Sequence, residues 1–150
     1  MLIDASAIVA VLAREPRGNE IETALNLASE HETKFHVASI TVFEAAISLA
    51  KAKIKPRPTA TPAEIKQALQ AVQGFLAEYD VKQISIDGDI VQKAVEVSAK
   101  FGKAVGHKAK LNFGDCIVYA SAQAHHLPLL FIGKDFSQTD LKSVLASPEP

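Results

Sequence analysis

Leu2-Ile3-Asp4-Ala5-Ser6-Ala7-Ile8-Val9-Ala10-Val11-Leu12 decides the architecture of this chain. A short apolar run stops at an acid, a hydroxyl residue follows, and then comes a segment that is apolar nearly all round. The spacing predicts a buried strand at Leu2-Ile3 and a helix from Ala7 to about Ala13, capped by Ser6. A helix with so little polar surface is expected to be buried on two sides, one of them against a sheet.

The same beat of strand, polar break and helix recurs along the chain. A second helix is expected near Gly18, with Ile21, Ala24, Leu25 and Ala28 on one face. Phe35 to Ala38 reads as a strand, and Ser39 or Thr41 caps a helix that turns Phe43, Ala46, Ile47 and Ala50 inward. The prolines of Pro56-Arg57-Pro58-Thr59-Ala60-Thr61-Pro62 demand an extended segment. Thr61-Pro62-Ala63-Glu64 then combines a capping box with proline at the first helical position. The helix it opens carries Ile65, Leu69, Val72, Leu76 and Tyr79 along one stripe, and residues 56–79 read as an excursion able to lean over the functional edge. Val81 to Ile86 is a third strand, and Asp87 caps a helix that Gly102 stops. Gly106 to Asn112 is an irregular basic loop, followed by a helix from Phe113 to about His125 and a strand at Pro128 to Ile132. Leu141 to Leu145 offers a last short edge strand, and the tail from about 147 to 150 is expected to fray. Strands alternating with helices make this an α/β chain with a mainly parallel sheet.

At 150 residues, 48% hydrophobic and 22% charged, the chain is expected to be one domain with a genuine core. The longest largely apolar run, Ala5 to Ala13, is far too short for a membrane span. No basic leader precedes it, and the single cysteine, Cys116, fits a reducing compartment, so a cytoplasmic protein is expected. Net charge is −1, which excludes a generally basic nucleic-acid binder. Two acid-free basic stretches nevertheless stand out: Lys51, Lys53, Lys55 and Arg57, and then Lys100, Lys103, His107, Lys108 and Lys110. Each reads either as a solvated loop or as a surface that tracks phosphates.

Four acids carry the functional reading: Asp4, Glu44, Asp115 and Asp135. Each lies just past an expected strand or in the first turn of an expected helix, and in a parallel α/β sheet those positions converge on one edge. Carboxylates gathered there repel one another. At about 4 Å a like-charged pair costs roughly 4 kcal/mol at an effective dielectric near 20. No lysine or arginine stands beside each of the four to neutralise them all, and the simplest relief is a hard divalent cation with oxygen ligands. A Mg²⁺- or Mn²⁺-dependent phosphodiesterase is the leading expectation.

These motifs resemble the PIN-domain ribonucleases of the VapC toxin type over nearly the whole length. The opening strand and helix with Arg14-Glu15-Pro16 match the family's first acid, and Thr41-Val42-Phe43-Glu44 its second. Gly106-His107 through Leu111-Asn112-Phe113-Gly114-Asp115-Cys116 is the most specific element and carries the third. Leu130-Phe131-Ile132-Gly133-Lys134-Asp135-Phe136, with Thr139-Asp140-Leu141 behind it, carries the fourth. The resemblance implies a three-layer α/β/α sandwich with an added helical excursion. It also implies that Asp4, Glu44, Asp115 and Asp135 hold magnesium or manganese, that RNA is the substrate, that the protein is a homodimer, and that a VapB-type antitoxin silences it. Lys134 departs from the small polar residue often found before the fourth acid; it either steadies the scissile phosphate or points to solvent.

Every one of these residues also has a local structural reading. Asp4 serves equally as a helix cap, Glu44 as part of a solvated face, Asp115 as a complement to the helix dipole and Asp135 as a turn residue. Ser6 and Asn112 read first as caps and second as metal-water, phosphate or metal contacts, and Asp140 as a prop for the Asp135 loop. No histidine pair has metal-site spacing, which rules against zinc. Two other classes stay open: a receiver-like phosphoryl-transfer switch, which Lys134 favours and the lone acid after the first strand opposes, and a catalytically silent module that docks basic partners through the same acids. A flap-type DNA nuclease shares the acids but is larger.

Overall fold

The structure, a computed structural model, describes residues 1–53 and 59–145, the side chain of Lys53 excepted. The expected extended run at 56–58 and the frayed tail at 147–150 lie outside the described residues. In chain order the elements are β1 (Leu2–Ile3), α1 (Ala5–Leu12), α2 (Gly18–Glu30), β2 (His36–Ala38), α3 (Ser39–Lys53), α4 (Pro62–Glu78), β3 (Lys82–Ile84), α5 (Gly88–Phe101), α6 (Phe113–Ala124) and β4 (Leu129–Leu130). Single 3-10 turns at Lys103–Val105 and Phe136–Gln138 complete the set.

The four strands form one sheet in the order β3-β2-β1-β4, all pairs parallel. Chain order runs outward from β1 through β2 to β3, then returns to place β4 on the other side of β1. That reversal opens a crevice at the carboxyl end of β1, where open α/β sheets bind ligands. Side chains alternate across the strands as the two-residue period requires. Leu2, Ala38 and Leu129 join one core cluster with Ile90, Phe101 and Tyr119 of α5 and α6. Ile3, Val37 and Leu130 join the other, with Ile8, Leu25, Leu49 and Val72 of α1 to α4. Helices therefore cover both faces, which is the three-layer sandwich.

Local chemistry explains the helix ends, with several shifts from expectation. The first helix starts at Ala5, and its cap is Asp4 instead of Ser6. A carboxylate in the extended residue ahead of the helix reaches the second helical N–H, and Ser6 sits one turn-position too late to do so. Gly18 opens α2 where a Cβ would stand 2.4 Å from the carbonyl oxygen of Ala10, so α1 and α2 approach through bare backbone. The capping box at Thr61 and Glu64 is present, with Thr61 N–H donating to Glu64 Oε2 at 2.8 Å. The helix it opens, α4, packs along α3 and α1 and buries Ala68, Val72, Phe75 and Leu76 in their cluster.

Phe43 is not inward: its side chain is 63% exposed. The buried positions of α3 are Thr41, Ala45, Ala46, Leu49 and Ala50, a helical stripe that excludes position 43. Small residues carry most of the packing on that face. Residues 141–145 give a single parallel bridge, Leu129 to Ser143, rather than a strand. No helix among the described residues is long and apolar enough to cross a membrane.

Candidate active site

Asp4 ends β1 and is buried. Its backbone N–H donates to Leu130 O at 2.9 Å, locking the residue against β4. Its Oδ2 accepts from both the N–H (2.9 Å) and the hydroxyl (2.5 Å) of Ser6. The Ser6 hydroxyl oxygen in turn accepts from the Ile132 N–H at 3.0 Å, joining the first acid to the segment that leads to Asp135. Capping and site-building are here the same contacts. Burial pushes the Asp4 carboxyl above the ordinary range, the Ser6 bonds oppose that rise, and the charge of Asp135 adds to it.

Glu44 sits two turns into α3 and accepts no hydrogen bond among the described residues. Its carboxyl is pushed up to about 7 by burial first, then by the charges of Asp4 and Asp115. The Oε1 atom lies where Gly114 has no side chain: a Cβ at that glycine would stand 1.9 Å from it. Glycine within the first turn of α6 thus makes room for a carboxylate from α3. Gly114 is thus a candidate site residue beyond the four acids and their caps. Its signal was there, since glycine inside a helix costs about 1 kcal/mol and calls for a reason. Thr41, one turn ahead of Glu44, is fully buried and its hydroxyl has no partner.

Asp115 occupies the third position of α6 in a reciprocal capping box with Asn112. Asp115 N–H donates to Asn112 Oδ1 at 3.0 Å, and Asn112 N–H donates to Asp115 Oδ2 at 2.7 Å. One carboxylate oxygen is held by the cap while the other has no hydrogen-bond partner among the described residues. Burial lifts this carboxyl to about 6, the Asn112 bond restrains it, and Asp4 and Asp135 raise it further. Asp135 is exposed and begins the 3-10 turn at Phe136–Gln138 without capping it. Asp140 accepts from Lys100 Nζ at 2.8 Å and from the Tyr119 hydroxyl, pinning the far end of this loop to α5 and α6.

The four acids therefore gather at the carboxyl rim of the sheet: the charge of Asp135 raises Asp4, those of Asp4 and Asp115 raise Glu44, and those of Asp4 and Asp135 raise Asp115. Among the described residues no lysine or arginine forms an ion pair with any of them. No three of the described acid, imidazole or thiol groups stand as a ready-made ligand set for an ion. The donors themselves suit a hard cation. They are carboxylate oxygens with free lone pairs, and the one soft ligand, Cys116, is buried in the core.

The basic residues divide. Lys103, Lys108, Lys110 and Lys134 are exposed and make no ion pair among the described residues. Lys51 is exposed in the last turn of α3. The Lys53 side chain, Lys55 and Arg57 lie outside the described residues. His107 is half-buried, packs edge-on to Phe101 at 5.2 Å, and accepts the Ala109 N–H at Nδ1. It shapes the loop from within. Lys100 is engaged with Asp140 and lies 4.6 Å from the Phe101 ring.

The profile of the PIN domain matches residues 1–142. A VapC ribonuclease of Rhizobium meliloti (strain 1021) is 36% identical, the match covering 93% of this chain and 97% of the relative. Ribonuclease VapC36 of Mycobacterium tuberculosis (strain ATCC 25618 / H37Rv) is 35% identical, covering 95% of this chain and 91% of its own. Among solved structures, a chain of a toxin–antitoxin complex from Klebsiella pneumoniae superposes with a TM-score of 0.60 at 21% identity, over 91% of this chain and 89% of that one.

Proposed function

The chain belongs to the PIN domain family, and from that premise we propose that it is a metal-dependent endoribonuclease, the toxin of a VapBC-type toxin–antitoxin pair. The observation that carries the chemistry is a rim of four unneutralised carboxylates, two of them raised to about 7 and about 6 by burial and mutual repulsion. Asp4, Glu44, Asp115 and Asp135 would hold Mg²⁺ or Mn²⁺. When bound, such a cation supplies positive charge at the reacting phosphate and lowers the pKa of water.

The chain's own residues do the rest. Ser6 orients Asp4 and ties it to the Ile132 backbone, Asn112 fixes Asp115, and Asp140 anchors the loop that presents Asp135. Gly114 keeps the space that Glu44 fills. Lys103, Lys108, Lys110 and Lys134 supply exposed positive charge for the flanking phosphates, and Lys51, Lys53, Lys55 and Arg57 are read as a second such patch. No side-chain nucleophile is required. The antitoxin would occupy the groove of about 330 Å³ beside α1, lined by Ala5, Ser6, Val9, Glu15, Ser48 and Ile132, as an apolar helix. A homodimer is favoured by Val91 and Val95, 48% and 65% exposed at i and i+4 on α5. The cytoplasm is the expected compartment.

The test is a gel of total RNA incubated with the protein and Mg²⁺, Mn²⁺ or EDTA. Discrete fragments with either metal and none with EDTA are expected. Intact RNA in every lane, from protein shown by circular dichroism to be folded, overturns the reading.

A further inference from the structure

Five of the seven phenylalanines are buried: Phe35, Phe75, Phe101, Phe131 and Phe136. The other two are Phe43, 63% exposed, and Phe113, 70% exposed. Both stand at the rim just described. Phe43 immediately precedes Glu44 on α3, and Phe113 immediately precedes Gly114 on α6. Because the Glu44 carboxylate lies against Gly114, the two helices touch at the residue following each ring. Each ring is thus carried by a residue next to that contact and exposed to solvent, and neither packs on another aromatic among the described residues.

Leaving one phenylalanine in water forfeits the burial that most earn; leaving out only the two beside the acids needs a local cause. The remaining exposed large hydrophobics, Leu27, Val91, Val95 and Val105, are aliphatic. An exposed flat apolar face on a surface that also carries exposed lysines has the chemistry of a stacking platform: positive charge takes the phosphates, and the ring takes a base. Lys110 lies three residues before Phe113 in sequence, and Lys108, Lys110 and Lys134 are exposed and form no ion pair among the described residues. Unpaired nucleotides are what such a platform recognises, since a base inside a duplex hides both faces.

We infer that Phe43 and Phe113 stack the unpaired bases on either side of the phosphate presented to the acids, so that the enzyme selects single-stranded RNA by its base faces, tolerant of sequence. This rests on the ribonuclease reading and deepens it. The rings touch substrate and position it; the carboxylates remain the catalytic groups.

The experiment uses the full chain and short unstructured RNA carrying 2-aminopurine, in EDTA, so that binding is read without cleavage. Wild-type protein is expected to quench the fluorescence on binding. Phe43→Ala and Phe113→Ala should each weaken binding about tenfold, the order expected for one lost stacked base, and reduce the quench. In Mn²⁺ the same variants should raise KM about tenfold with kcat nearly unchanged. Phe→Leu keeps apolar bulk and folding but lacks a flat face, and should not rescue; Phe113→Tyr should. Unaltered affinity and quench in both alanine variants would overturn the inference, as would full rescue by leucine. Loss of the dimer mass with RNA affinity intact would assign the rings to a second copy of the chain instead. Wild-type protein that cuts no RNA with Mn²⁺ would count against the nuclease itself, whereas active wild-type with indifferent phenylalanine variants counts against stacking alone.

Discussion

Where β2 and β3 begin, a cavity of about 630 Å³ is lined by Glu32, Lys34, His36, Glu78, Asp80 and Lys82 among others. Its charges answer one another, and Lys82 Nζ stands 2.6 Å from Asp80 Oδ1. At the opposite end of the same sheet, Asp4, Glu44, Asp115 and Asp135 have no cation among the described residues. There the carboxyls of Asp4, Glu44 and Asp115 are driven upward by burial first and by neighbouring carboxylates after it. One end pairs opposite charges, and the other gathers like ones. The gathered carboxylates are the better guide to function, because strongly perturbed acids cluster at functional sites.

The contrast breaks most visibly under substitution. Asp4→Asn or Asp115→Asn is expected to lower metal-dependent RNA cleavage by about a thousandfold or more, measured as initial rates on one RNA; a rate within a few fold of wild type would remove the assignment. Gly114→Ala comes next. Its Cβ displaces the Glu44 carboxylate, so cleavage should fall on the order of tenfold to a hundredfold and Mn²⁺ titration should show weaker binding. Helix propensity meanwhile favours alanine by about 1 kcal/mol, so denaturant midpoints should hold or rise. Activity lost along with stability would mean the helix, not Glu44, had been disturbed.

Acidity sharpens the comparison further. Glu44 and Asp115 have folded-state pKa values of about 7 and about 6, above the ordinary 4.5 and 3.8 of the unfolded chain. Between those limits the folded state binds more protons, so metal-free stability is fully present below the unfolded values and falls as pH rises toward 7. Mn²⁺ should therefore raise the melting temperature on the order of 5 °C at pH 8 and hardly at all at pH 5. Equal stabilisation at both values would show that these carboxylates do not take the ion. Asn112→Ala should cost about 1 kcal/mol through the lost cap, read by urea unfolding, and loosen Asp115. Smallest of all, Lys82→Ala at the satisfied end should change stability by no more than about 0.5 kcal/mol and leave cleavage as it was; a large loss there would mean that the two ends are coupled.

Much of this was legible in one dimension. Asp87 caps α5 and Thr61 opens α4 as expected, because capping is settled within four residues. Other expectations shifted for tertiary reasons. Position 4 suits either a cap or a catalytic acid in sequence; in the structure it is the cap, and the same carboxylate stands at the rim. Size suggests that Phe43 turns inward, whereas smaller residues do the packing on α3. His107 sits among basic residues in sequence, and its ring packs within its own loop against Phe101.

By itself the sequence determined the succession of strands and helices, and placed Asp4 and Asp135 beyond strands and Asp115 in a first helical turn, since periodicity and capping act over a few residues; Glu44, expected at a helix start, stands deeper in α3 because that helix begins at Ser39. Only the tertiary structure decided that Glu44 rests against Gly114, that two aromatic rings stay in water, and that the four acids form no ion pair with a lysine or arginine among the described residues. Those outcomes depend on which distant segments the parallel crossovers bring to one rim, and burial and electrostatics are set by neighbours in space.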